Sequence, residues 1–181
     1  MGPQGAPPNQ PGMRADLRSI QAPLKERYRQ APAAALVTLK AEGRLGDGVS
    51  CSVSTGKALV EAGLHAATGG SGAQACSGDM LLEALVACAG VTLAAVATSL
   101  GIAIESGTLR AEGDLDFRGT LGVAKDAPVG FKDIRLEIAL QASAPAEQLQ
   151  KLLELTERYC VVLQTLKGAV PVHASYRQAS R

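Results

Sequence analysis

The stretch Ser77–Leu100, SGDMLLEALVACAGVTLAAVATSL, constrains the fold more than any other part of the chain. It contains no proline, lysine or arginine, and its only charged residues are Asp79 and Glu83. Ser77 is placed to cap a helix, and Asp79 would lie in the first turn, where the helix dipole favours an anion. Gly101 suits the position just after the last turn. The pattern therefore predicts one long helix.

This predicted helix is apolar on more than one face. At 3.6 residues per turn, one face consists of Leu81, Ala84, Leu85, Cys88, Val91, Thr92 and Ala95. A second face carries only small residues, namely Ala87, Gly90, Ala94 and Thr98. Small residues allow a second helix to approach closely. Because a helix that is apolar on several faces is typical of the centre of a fold, we expect the remaining chain to be built around it.

A membrane span is the alternative interpretation of so apolar a stretch, which is nearly long enough to cross a bilayer. Alanine dominates from Ala84 to Ala97, however, so the hydrophobicity per residue is low, and no basic cluster flanks the stretch. A single span would also leave the amphipathic segments downstream unexplained. We therefore expect no membrane association.

Composition excludes several other classes of protein. A net charge of +1 argues against electrostatic nucleic-acid binding, and an aromatic content of 3% without tryptophan offers no platform for stacking bases. The four cysteines are too few and too scattered for a disulfide scaffold, and two histidines give no metal-binding spacing. We expect no metal and no other cofactor. The sequence shows no signal-peptide pattern, which predicts a cytoplasmic protein with reduced thiols.

The remaining segments predict an α+β protein. Residues 1–15 are rich in proline and glycine and predict a disordered tail, followed by a single domain over residues 16–181. A β-hairpin is expected from Ala33–Glu42 and Val49–Ser54, joined by the glycine-rich turn 43–48, with Lys57–Glu61 continuing the sheet. His65 is expected on the surface of the loop that leads to the long helix.

Strand and helix patterns also follow the long helix. Alternation of apolar residues predicts an antiparallel pair of strands, Ile102–Phe117 and Phe131–Ala142. Helical spacing predicts a helix at Pro145–Tyr159 and a short one that starts at Cys160 and is closed by Gly168. Val170–Tyr176 is predicted to be a final edge strand.

Cys88 and Cys160 both have an ordinary structural interpretation. A free cysteine is among the most buried residue types, and a mid-helix position denies Cys88 the helix N-terminus that lowers thiol pKa values elsewhere. Cys160 fits equally well as the first residue of an apolar turn. From these residues alone, a structural role for Cys88 is favoured.

Two motifs resemble the OsmC/Ohr family of osmotically induced and organic-hydroperoxide-resistance proteins, over roughly residues 33–176. The first is a cysteine in the middle of an Ala/Leu-rich helix, LLEALVACAGVTL, and the second is CVVLQTLKGAVPV, which begins at Cys160. The residue after the second cysteine is often proline in the family and is Val161 here. The resemblance implies antiparallel β-sheets wrapped around a long central helix, in an intertwined homodimer with its sites at or near the interface.

The resemblance also implies a peroxidase mechanism. Cys88 matches the peroxidatic cysteine, which attacks an organic hydroperoxide and becomes a sulfenic acid, and Cys160 matches the resolving cysteine that then forms a disulfide with it. An external dithiol, lipoyl-type or similar, would reduce that disulfide. Arg44, in the first hairpin, matches the family's arginine beside the reactive thiol. A solvated turn residue is the alternative interpretation of Arg44.

One position departs from the family pattern. Much of the family carries a glutamate ten residues before the helix cysteine, where this chain has Gly78. Asp79 matches the acidic residue of other members, and pairing with Arg44 or stabilising the helix N-terminus are its two possible roles. Two functions therefore stand side by side: a hydroperoxide reductase, and a non-catalytic dimeric scaffold or small-molecule-binding protein.

Overall fold

A computed structural model of the protein describes residues 30, 42–45, 50–54, 59–122 and 124–178, with side chains from residue 60 onward. The six strands among these residues are β1 (Glu42–Leu45), β2 (Ser50–Ser54), β3 (Leu59–Gly63), β4 (Ala75–Cys76), β5 (Ile104–Leu115) and β6 (Phe131–Ala142). The helices that follow β4 are α1 (Ser77–Leu100), α2 (Phe117–Thr120), α3 (Ala146–Tyr159) and α4 (Val161–Lys167). This mixture of helices and sheets confirms the predicted α+β class.

The strands form two separate sheets. In the first, β1, β2 and β3 are antiparallel neighbours, as the hairpin pattern predicts, and the two-residue β4 pairs parallel to β3. In the second, β5 and β6 are antiparallel over their whole length, with Leu109 opposite Ile138 and Ala111 opposite Leu136. Alternate residues of β5 and β6 face inward. The apolar side of this pair therefore covers α1.

The core lies where α1 meets β5, β6, α3 and α4. Its fully or almost fully buried side chains are Leu85, Ala89, Leu93, Ala97, Ile102, Leu152, Thr156 and Cys160. The predicted main face of α1 was wrong in part, because Leu81 is 37% exposed and Val91 is 72% exposed. On an alanine-rich helix the faces differ little in hydrophobicity, so the pattern alone does not decide which face is buried.

The ends of α1 agree with the sequence more closely. Gly101 adopts φ 74°, and its N–H bonds back to the helix, so the predicted glycine C-cap is confirmed. Ser77 is the first helical residue, and Cys76 holds the N-cap position without a side-chain cap. The expected cap was therefore one residue too late. Asp79 does lie in the first turn.

Two other expectations need correction. Gly43, Arg44 and Leu45, expected in the turn, belong to strand β1. Val170–Tyr176 forms no strand with the described residues, and Val172 is 89% exposed. Pro171 lacks an N–H for a strand ladder, which disfavours a paired strand here. The predicted tail and residues 33–41 lie outside the described residues.

By length and composition α1 is the one described helix that could cross a membrane. The core helix of a protein without a membrane span can have the same length and composition. About a fifth of its most apolar window is buried within the chain. Most of this apolar window is therefore not covered by the rest of the chain.

Replacing Leu152 by alanine tests the assigned core. Leu152 is fully buried against α1 in the cluster with Leu93 and Ala97. We expect Leu152→Ala to lower the free energy of unfolding by about 2–5 kcal/mol, because apolar contacts are lost and a cavity remains. Leu121→Ala, at a 55% exposed position, should change it by less than about 0.5 kcal/mol. Equal effects in urea unfolding would contradict this packing.

Candidate active site

Cys88 and Cys160 come together at the contact between α1 and the junction of α3 and α4. Cys88 lies in the middle of α1 and is half-buried, whereas Cys160 has no exposed surface. Cys160 is the one extended residue between α3 and α4, and its backbone bonds to both helices. Both are free thiols, and Cys88 packs against the buried cluster that contains Cys160. Only the fold brings them together, because they are far apart in sequence.

The environment of Cys88 favours its thiolate. Burial raises the pKa of the Cys88 thiol, but hydrogen bonds from the backbone of Val162, the side chain of Cys160, the backbone of Val161 and the hydroxyl of Thr92 outweigh burial. The pKa of Cys88 is therefore lowered below its ordinary value. The two backbone N–H groups open α4, where no carbonyl of the same helix is available to them. A cysteine in the middle of α1 was not expected to lie at a helix N-terminus. The N-terminus that lowers the pKa of Cys88 belongs to α4.

The environment of Cys160 has the opposite effect. Burial has the largest effect and raises the pKa of the Cys160 thiol. The Leu163 backbone N–H lowers it, the neighbouring Cys88 raises it again, and the Val162 backbone N–H lowers it slightly. The pKa of Cys160 therefore lies above its ordinary value. Two identical side chains in contact are thus unequal: Cys88 is the better thiolate, and Cys160 stays protonated.

Apolar side chains surround this pair of thiols. Leu85 and Ala89 of α1 pack with Cys160, and partly buried side chains from β5, β6 and α4 complete the cluster: Leu109, Ala111, Ile134, Leu136, Val162, Leu163 and Leu166. Such surroundings suit the alkyl or aryl part of an organic molecule better than a charged one. They also strengthen each hydrogen bond to the sulfur, because the local dielectric constant is low.

The structure does not bring Asp79 to this pair. Asp79 is exposed on α1, nine residues before Cys88, which places it about 13.5 Å away along the axis and on the opposite side of the helix. Arg44 lies in β1 opposite Ser52, and its side chain is outside the described part of the structure. The expected pairing of Arg44 with Asp79 therefore stays a prediction.

His65 is exposed, as expected, and belongs to a different site. Its Nδ1 accepts a hydrogen bond from the Ala67 N–H at 3.0 Å, and its ring stacks on Phe117 with centroids 4.9 Å apart. Together with Asp79 and Cys76 it lines a cavity of about 330 Å³ at the N-terminal end of α1. This cavity is separate from the cluster around Cys88.

Sequence reasoning missed two features of the thiol pair. Thr92 follows Cys88 by four residues, and this spacing predicts that both lie on one helix face. No role was assigned to Thr92. The backbone N–H groups of Val161 and Val162 leave no signal in residue identity. Their position depends on the packing of α4 against α1.

Comparison with protein families finds a match to the OsmC-like protein family over residues 70–175, more than half of the chain. The chain belongs to the OsmC-like family. The matched region contains both members of the thiol pair. Comparison with curated protein sequences finds no match.

Solved structures give the same fold at low sequence identity. An OsmC-like protein from Mycoplasma pneumoniae is 15% identical, with a TM-score of 0.62 over 74% of this chain and 89% of that one. An organic hydroperoxide resistance protein OsmC from Legionella pneumophila is 18% identical, with a TM-score of 0.53 over 74% and 92%. One from Elizabethkingia anophelis is 19% identical, with a TM-score of 0.53 over 75% and 91%. At these identities the likeness establishes the OsmC-like fold alone.

Alkylation of the reduced protein by iodoacetamide tests the inequality of the two thiols. We expect the rate at Cys88 to rise with pH around a midpoint below that of an ordinary free thiol, because its pKa is lowered. Cys160 should react slowly until the protein is unfolded, because it is buried and its pKa is raised. Peptide mass spectrometry distinguishes the two. A faster reaction at Cys160 would contradict the assignment.

Proposed function

We propose that the protein is a thiol-dependent peroxidase that reduces organic hydroperoxides. The thiolate of Cys88 attacks the outer oxygen of R–O–OH, the O–O bond breaks, and Cys88 becomes a sulfenic acid while RO⁻ takes a proton and leaves as the alcohol. The Cys160 thiol then attacks the sulfenic sulfur, which forms a disulfide and releases water. A dithiol reductant, lipoyl-type or similar, reduces the disulfide and is itself oxidised to its disulfide.

The single observation that supports this proposal is the contact of two thiols whose pKa values are shifted in opposite directions. The lowered pKa of Cys88 increases the fraction of nucleophilic thiolate. The raised pKa of Cys160 keeps a protonated thiol beside it until the sulfenic acid forms. Since Cys88 packs against the cluster that contains Cys160, little movement is needed to bond the two sulfurs.

The substrate class follows from the surroundings of Cys88. The apolar cluster of leucine, isoleucine and alanine side chains around the pair suits an organic group. The names of the two hydroperoxide resistance proteins with the same fold agree with this proposal. Arg44 is the proposed cation beside the leaving oxygen, and Asp79 its proposed partner. Free thiols in a turnover cycle suit a reducing compartment, so we propose a cytoplasmic location.

We further propose that the protein works as a homodimer built on α1. Val91 is 72% exposed in the middle of this helix, and the small residues Ala84, Ala87 and Ala94 beside it are also exposed. A second α1 could approach this face closely. The apolar segment after Gly168, with Val172 almost fully exposed, is a second surface that a partner copy would cover.

A non-catalytic role is the second candidate. Gly78 stands where much of the family carries a glutamate, and Asp79 lies on the opposite side of α1 from Cys88. Asp79 of the same chain is therefore badly placed to orient a cation at the thiol pair. A dimeric scaffold or small-molecule-binding protein would keep the fold without efficient turnover.

A peroxide-consumption assay decides between these functions. With cumene hydroperoxide and dihydrolipoamide, the wild-type protein should show multiple turnovers. Cys88→Ser should abolish consumption, because the nucleophile is lost. Cys160→Ser should consume one equivalent and leave a sulfenic acid at Cys88, which dimedone labels.

Cys76→Ser is the matched control, since Cys76 is a free cysteine outside the thiol pair, and its turnover should equal that of the wild type. After mild hydroperoxide treatment, mass spectrometry should find the Cys88–Cys160 disulfide. Without consumption by the wild type and without that disulfide, the non-catalytic role replaces the peroxidase.

Light scattering tests the homodimer. The wild type should have the mass of a dimer at micromolar concentration, and Val91→Lys should give monomers, because a charge would be buried at the proposed interface. Leu121→Lys places the same charge at an exposed leucine elsewhere and should leave the dimer intact. A stable wild-type monomer would refute the assembly.

A further inference from the structure

The cavity at the N-terminal end of α1 contains charged and aromatic side chains that the thiol site does not use. Its volume is about 330 Å³, and neither Cys88 nor Cys160 is among the described residues that line it. We propose that this cavity binds a small organic molecule that carries an aromatic ring and a positively charged amine. This inference goes beyond the proposed function, because it concerns a different site.

Half-buried apolar side chains form the wall of this cavity. Leu82 comes from α1, Leu115 ends β5, Phe117 begins α2 and Phe131 begins β6. The ring of Phe117 already stacks on that of His65, with centroids 4.9 Å apart. Aromatic rings attract further rings in offset or edge-on contact. The wall therefore suits the flat ring of an aromatic ligand.

Two glycines of the lining contribute in different ways. Gly113 of β5 makes room for the wall itself, because a Cβ at this position would overlap with the Phe131 ring. Gly78 of α1 has no such steric reason. A Cβ at Gly78 would lie 3.5 Å from Cζ of Phe131 and 3.6 Å from both Sγ of Cys76 and Cδ1 of Leu115. These are favourable van der Waals distances.

Gly78 therefore leaves open a space that a side chain would fill. Its φ is not positive, so the backbone does not require glycine, and alanine forms helices better than glycine does. Neither backbone conformation nor packing accounts for a glycine as the second residue of α1. Its effect is to keep room between Phe131, Cys76 and Leu115, where an apolar ligand atom gains the contacts that a Cβ would have made.

Carboxylates supply the charge at the rim. Asp79 and Asp114 line the cavity at exposed positions, and no lysine or arginine is among its described lining residues. Arg135 already donates two hydrogen bonds to Asp114, at 2.6 and 2.9 Å. Asp79 has no hydrogen bond or ion pair with another described residue. Asp79 is therefore the group that holds the amine, through a charge-assisted hydrogen bond.

Two other demands act on Asp79. The N-terminus of α1 favours an anion, and Asp79 already provides one in the first turn, so the ligand itself need not be anionic. The pairing with Arg44 proposed above would use the same carboxylate. An amine in the cavity and Arg44 would consequently compete for Asp79.

Titration of the reduced full-length protein with benzylamine, followed by the amide chemical shifts in NMR spectra, tests the cavity. We expect saturable shifts at Gly78, Asp79 and Gly113. Benzyl alcohol and benzoate carry the same ring without the positive charge and should bind more weakly. Asp79→Asn should weaken benzylamine binding about two- to fivefold, as the loss of one exposed ion pair predicts.

Variants separate charge from space. Glu83→Gln is the matched control for charge, since Glu83 lies one turn later on α1 and is not among the described lining residues, and its affinity should match the wild type. Gly78→Leu should abolish binding, because its side chain fills the open space. Gly78→Ala should weaken binding and raise the thermal unfolding midpoint. If Gly78→Leu does not fold, as judged by circular dichroism, Gly78→Ala alone decides.

The inference is overturned if the wild type shows no saturable shift, if benzoate binds as tightly as benzylamine, or if the Gly78 variants bind like the wild type. The result is independent of peroxidase activity, because no peroxide is present. A protein that consumes hydroperoxide without binding benzylamine refutes the cavity and leaves the peroxidase standing. A protein that binds benzylamine without consuming hydroperoxide does the reverse.

Discussion

The rest of the structure depends on covering the 24-residue apolar helix α1. Apolar surface in water is unfavourable by roughly 25 cal/mol per Å², so each neighbouring element presents an apolar face to this helix. The β5–β6 pair covers one side, while α3 and α4 cover the side that carries Leu85, Ala89 and Leu93. The thiol pair lies within this packing, so the core and the candidate site share residues.

The chemistry of the pair follows from how unequally that packing treats two identical side chains. Cys160 is fully buried at the junction of two helices, whereas Cys88 is half-buried. Burial raises the pKa of Cys88, and hydrogen bonds, the largest from the Val162 backbone, outweigh it. Burial without enough hydrogen-bond donors keeps the Cys160 thiol protonated, whereas donors outweigh the effect of burial on the pKa of Cys88. A small rotation of α4 relative to α1 would change both environments together. Stability of the core and reactivity of Cys88 are therefore linked.

The packing also leaves part of α1 uncovered. Val91 and the small residues beside it remain exposed, as does the segment after Gly168. The small side chains on this face have little bulk to hold a partner apart, so they fit the close helix contact of the proposed homodimer. Asp79 lies on this helix away from Cys88. Any role of Asp79 at a thiol site would consequently depend on how two chains are arranged.

The sequence by itself determined the type, order and approximate ends of β2, β3, α1, β5, β6, α3 and α4, because these depend on local periodicity and on glycine at chosen positions. It missed the short elements β4 and α2. Phe131–Ala142 alternates strongly and forms β6 over the predicted range, and Gly101 ends α1 as expected. It also singled out Cys88 and Cys160, through their resemblance to a family pattern. These features can be predicted from residues that are close together in the sequence.

Tertiary structure alone decided which face of α1 is buried and which thiol is activated. An alanine-rich helix carries nearly equal hydrophobicity on several faces, so the neighbours choose the buried one. The expectation that Cys88 lacks a helix N-terminus considered only its own helix, whereas the N–H groups that reach it open α4. Val170–Tyr176 has a strand-like sequence and forms no strand among the described residues, because a strand requires a neighbour to pair with. Burial, hydrogen bonding across helices and strand pairing all depend on distances that sequence spacing does not contain.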